Sequence, residues 1–101
     1  MRSSPTATAP VAGLAADSPV LPDLISACAQ RTALVFGYRK PDADGSEVRH
    51  VQPWGVVGWR GHWYLVGHDT DRDSQRVFRA SRIDGAVRPD PQGTVYEIRR
   101  R

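Results

Sequence analysis

From Thr32 onward, the chain contains no segment long enough, with a helical period, to form a helix between two strands. Before that point the apolar residues Leu21, Leu24, Ile25 and Cys28 recur at spacings of three and four. After it the period drops to two: Leu34, Phe36 and Tyr38 share one face, Ala33, Val35 and Gly37 the other. A parallel sheet needs crossover helices, so a βαβ architecture is excluded. What remains is one short leading helix followed by antiparallel strands.

The helix is expected from Asp23 to Gln30, after the helix-start residues Ser18, Pro19 and Pro22. It is too short to stand alone and must pack on the strands. Pro41-Asp42-Ala43-Asp44-Gly45 reads as a turn, and a strand follows from Glu47 through Val51. Pro53 belongs at a bulge or an edge, where its missing N–H does no harm. Gly55 to Trp59 continues as a bent extended segment, and Arg60-Gly61 closes a tight hairpin. His62 to His68 is the next strand, with Trp63, Leu65 and Gly67 facing one way and His62, Tyr64, Val66 and His68 the other. Asp69 to Ser74 reads as a solvated acidic loop. Arg76 to Phe78 is a fourth strand, breaking near Ala80 into one helical turn; Gly85 to Arg88 is a fifth, and 95–98 a candidate edge strand. Five short strands with bends at glycines suit a small closed barrel, which removes exposed sheet edges.

The 101 residues allow one domain, placed at 19–98 between a flexible tail over 1–18 and a basic tail over 99–101. No apolar run approaches the roughly 18 residues of a membrane span, and no secretory signal is present, so a cytoplasmic location is expected. Cys28 is the lone cysteine and reads as a small apolar helix residue. The three histidines lack zinc spacing, and Asp69, Asp71 and Asp73 lack the glycine and glutamate of a calcium loop. No phosphate loop or catalytic motif is recognisable. Neither enzymatic activity nor a metal or cofactor is therefore expected.

Charge is unevenly placed. Residues 76–101 carry seven arginines against Asp84, Asp90 and Glu97, whereas 1–75 carry slightly more acid than base. Guanidinium forks suit phosphate and stack on planar rings. At least two of Arg76, Arg79 and Arg82 can converge on the side of Tyr64, with Arg49 and His50 contributing from the neighbouring strand. That arrangement predicts a cleft with arginine on two walls and tyrosine on its floor, suited to a phosphodiester with an unstacked base. Ion pairing of these arginines to the acidic loop is the competing reading. Trp54 and Trp59, flanking Gly55 and Gly58, offer a second function: a surface for dimerisation or a protein partner.

These residues resemble the WYL domain family. The namesake is Trp63-Tyr64-Leu65, and Arg49-x-x-x-Pro53 and Arg76-x-Phe78-Arg79-x-x-Arg82-Ile83 match its pattern in order and distance. The similarity covers about residues 20 to 95. It implies an SH3-like barrel of the Sm type and a sensory role in bacterial transcriptional regulators, with single-stranded DNA or RNA, or a nucleotide-like molecule, as effector. The implied contacts are Arg49, His50, Tyr64, Arg76, Arg79 and Arg82. Members commonly add a winged helix-turn-helix and a C-terminal extension. Neither pattern is found in these 101 residues, so an isolated domain is expected.

Overall fold

The computed structural model describes residues 18–42, 44–93 and Tyr96. Helix α1 (Leu21–Gln30) is followed by β1 (Leu34–Arg39), β2 (Ser46–Trp59), β3 (His62–Asp69), β4 (Ser74–Arg79), a 3-10 turn (Ala80–Arg82) and β5 (Ile83–Pro89). The helix starts two residues before the expected Asp23. Pro22 fits its first turn, and the free Leu21 N–H donates to the Ser18 carbonyl at 2.9 Å. The tail over 1–17, the strand expected over 95–98 (Tyr96 apart) and the terminal arginines lie outside the described residues.

All five strands form one antiparallel sheet in the order β4-β3-β2-β1-β5. The fold is mainly β with one short helix, as expected for an SH3-like domain. Closure is the point of correction: β4 and β5 are the two edges, and no ladder joins them among the described residues. The sheet curls instead. Phe78 of β4 meets Phe36 and Tyr38 of β1 edge-on, with centroids 5.5 and 5.1 Å apart. The Arg79 N–H donates to the Tyr38 hydroxyl at 3.0 Å. The inside of the curl holds the core, where Leu24 of α1, Val51, Leu65 and Phe78 are buried.

β2 is a single strand of 14 residues, bent at an irregularity between Pro53 and Gly55. The bend brings the β2 backbone over Gly67: a Cβ there would lie 2.5 Å from the Gln52 carbonyl oxygen. Tyr96 donates its hydroxyl to the Pro53 carbonyl at 2.6 Å, beside the irregularity. The Arg60-Gly61 turn has φ of 51° and 82°, as a two-residue hairpin requires.

Asp69 departs from its expected place in a solvated loop. It ends β3 on the core side, opposite Val51, and is fully buried. Its Oδ1 accepts from the Asp71 and Arg72 N–H groups at 3.0 and 3.2 Å, which fixes the turn into β4. Its Oδ2 lies 3.6 Å from Arg49 Nη1. Asp69→Ala removes both turn hydrogen bonds and one of the two carboxylates beside the buried Arg49, and is expected to cost about 3 kcal/mol, read by urea denaturation. Asp69→Asn keeps the Oδ1 acceptor and should cost less. Tyr38→Phe removes only the hydroxyl bond and is expected to cost about 1 kcal/mol in the same measurement.

Candidate nucleic-acid interface

Alternation along the strands decides where each candidate side chain goes. On β3, Trp63 and Leu65 face the core, and Tyr64 between them faces outward. Tyr64 stands directly opposite Arg79 of β4 and Val57 of β2. Cross-strand partners share a face, so Tyr64 and Arg79 are brought together as expected. Arg79 Nη2 lies 2.8 Å from both ring nitrogens of His62, two residues along the same outer face. Arginine can only donate, so an imidazole nitrogen accepts. The Arg79 Nε is buried without a partner among the described residues.

The other candidates do not join this pair. Arg49 shares the core side with Val51 and is only 3% exposed. Its Nη2 lies 2.8 Å from Glu47 Oε1, and its Nη1 faces Asp69. It is therefore a buried structural cation. The expected cleft fails at this residue for a simple reason: Tyr64 pairs with Val57, eight residues further along β2, a separation of roughly 25 Å. Arg76 pairs with Gly67 and falls on the Phe78 side of β4, half-buried. Arg82 is half-buried in the 3-10 turn, three residues beyond Arg79.

His50 faces outward at the Arg49 end of β2. It lies in a row with Val35 and Arg88 and borders a groove of about 490 Å³ with Pro89 and Pro91. Asp71 hydrogen-bonds its Nδ1 at 2.8 Å and raises the imidazole pKa, against a smaller opposing effect of burial. That contribution to stability is complete below the unfolded imidazole value and is lost as pH rises through the raised folded value.

The acidic loop does take ion pairs, but not from the expected arginines. His50 pairs with Asp71 and His68 with Asp73, while Arg72 reaches Glu47. Among the described residues, no carboxylate comes within ion-pair distance of Arg76, Arg79 or Arg82.

Two features were missed in the sequence. One is the contact of His62 with Arg79: alternation puts His62 on Tyr64's face, but no motif signals the pairing. The other is the apolar character of that face, where Val57, Trp59 and Val77 are 47, 60 and 56% exposed beside Tyr64 and Val66. Trp54 does not join them: displaced by the bulge, it stacks on His68 with centroids 6.4 Å apart.

The family model of the WYL domain matches residues 19–88. Protein PafB of Mycobacterium tuberculosis (strain ATCC 25618 / H37Rv) is 49% identical over 81 residues, covering 80% of this chain and 24% of that protein. Protein PafB of Mycobacterium leprae is 44% identical over 86 residues, covering 84% and 26%. Among solved structures, proteasome accessory factor B/C (PafBC) of Arthrobacter aurescens matches with a TM-score of 0.68 and 36% identity, covering 76% of this chain and 12% of that one. The chain thus spans about a quarter of the length of the curated relatives it matches. With its namesake tripeptide set inward, outward and inward on β3, and the family model covering helix and sheet alike, the chain belongs to the WYL domain family.

Proposed function

We propose that this domain is the ligand-sensing module of a bacterial transcriptional regulator, binding single-stranded DNA or RNA, or a nucleotide-like molecule, on the Tyr64–Arg79 face. The proposal is for binding and not catalysis, in the cytoplasm. One observation carries it: Tyr64 and Arg79 stand opposite each other on an outward sheet face, with no carboxylate among the described residues neutralising the guanidinium. An aromatic ring beside a guanidinium that no carboxylate neutralises can stack a base and hold its phosphate. WYL family membership and the relatives named Protein PafB support the regulatory part of the reading. Arg76, on the Phe78 side of β4, and Arg82, in the 3-10 turn, fall outside the proposed contact pair. Arg49 acts only by holding the fold. The second reading, a docking or dimerisation surface, draws support from exposed Trp59 on the same face.

The test is fluorescence anisotropy with a labelled oligothymidylate of about ten nucleotides at two salt concentrations. Affinity is expected to fall with salt. Arg79→Glu and Tyr64→Ala are each expected to weaken binding about tenfold or more, as loss of one stacking or phosphate contact implies. Lys40→Glu, whose native ammonium pairs with Glu47, should change it little. Unchanged affinity in both site variants would overturn the proposal.

A further inference from the structure

The outward side of β2, β3 and β4 carries a continuous apolar surface that nucleic-acid binding does not explain. Val57, Trp59, Tyr64, Val66 and Val77 line one shallow depression. Val57, Trp59 and Val77 are each about half exposed. Their register makes them neighbours: Val57 opposes Tyr64, Val66 opposes Val77, and Trp59 opposes His62. Valines exposed at the centre of a sheet face neither stack bases nor bind phosphate. Such a patch marks a site covered by another apolar surface.

Size and charge select what covers it. From His62 to Val66 and across three strands, the patch measures roughly 13 by 10 Å. Two turns of a helix, about 11 Å long and 10 Å across, match it. A stable interface between whole domains buries about 800 Å² on each partner, far more than this patch offers. The rim carries two guanidiniums: Arg60 lies over the Trp59 ring at 5.3 Å, and Arg79, beside His62, stands opposite Tyr64. No acid occurs in 52–59, 62–68 or 75–79. A second copy laid face to face with the hairpin ends together would set Arg60 and Arg79 against their own copies.

We infer that this face docks a short amphipathic helix from a protein partner, its apolar side on Val57, Trp59, Val66 and Val77, and its flanking glutamates or aspartates against Arg60 and Arg79. Helix-in-groove recognition of this kind needs only three or four apolar anchors. The inference shares Arg79 and Tyr64 with oligonucleotide binding but is separable from it, because its apolar anchors are the valines and Trp59.

The probe is a labelled synthetic helix of about 16 residues with leucines spaced three and four apart and glutamates on both flanks, beside a control with lysines replacing the glutamates. Anisotropy is expected to show binding of the acidic peptide and not of the lysine peptide. Amide shifts in a ¹H–¹⁵N spectrum should centre on Val57, Trp59, Tyr64, Val66 and Val77. Val77→Ser should weaken the peptide about fivefold while leaving oligothymidylate affinity nearly unchanged, and Trp59→Ser serves as the second variant. Loss of oligonucleotide binding with the peptide retained would therefore sink the nucleic-acid reading alone. Failure of the acidic peptide to bind, equal binding of the lysine peptide, or a doubling of mass in sedimentation that Val77→Ser abolishes would overturn the docking proposal, the last in favour of a second copy.

Discussion

The contact of Phe78 with Phe36 and Tyr38 sets the rest of the domain. β1 and β4 are separated in the sheet by β2 and β3, so their side chains touch only if the sheet curls through three inter-strand steps. The T-shaped geometry is a favoured aromatic arrangement and gives the curl a specific depth. Because strands alternate, holding Phe78 inward turns Val77 and Arg79 outward. The Tyr38 hydroxyl then fixes the Arg79 backbone at the end of β4. From there a 3-10 turn of three residues delivers the chain to β5, beside β1. One aromatic cluster thus governs the core, the crossing to the last strand and the direction of Arg79.

Much of this is legible in the chain itself, wherever a local rule decides the outcome. The change of period at Thr32, the Arg60-Gly61 hairpin, the bulge at Pro53 and the break at Ala80 each follow from one or two residues, and each is found in place. The inward and outward sides of Trp63, Tyr64 and Leu65 follow from alternation. Non-local facts fail. Nothing in the residues around Asp69 announces that Arg49, twenty positions earlier, waits beside it in the core. The cleft expectation took nearness in sequence and pairing of strands as nearness in space. A 14-residue β2 breaks that inference, because its two ends serve opposite ends of the sheet. Closure failed in a similar way: strand count and glycine bends are compatible with both a closed barrel and a curled sheet. Only the pairing of the edges separates them.

The two ends of β3 differ in charge for a reason that bears on ligand choice. At the Asp69 end, Arg49, His50, His68 and Arg72 meet Asp69, Asp71, Asp73 and Glu47, so each of these basic side chains lies beside a carboxylate. Lys40 adds to the same cluster, and its hydrogen bond to Glu47 holds that carboxyl below its ordinary value. At the other end, Arg60, His62 and Arg79 surround Tyr64 and Trp59 with no acid in their strands. The ends lie roughly 20 Å apart along the strand, more than twice the ~8 Å screening length at physiological ionic strength. Acids at one end therefore cannot cancel the field at the other. An approaching anion is drawn to the Tyr64 end, whichever molecule carries it, and it arrives on a surface whose remaining groups are apolar. This combination favours ligands that join negative charge to a flat or greasy body. A simple inorganic anion would gain nothing from Trp59 and Val77. A neutral apolar ligand would gain nothing from Arg79. Nucleotides and acidic amphipathic helices both satisfy the two requirements, which is why one face supports both proposals and why the valines and the arginine have to be varied separately to tell them apart.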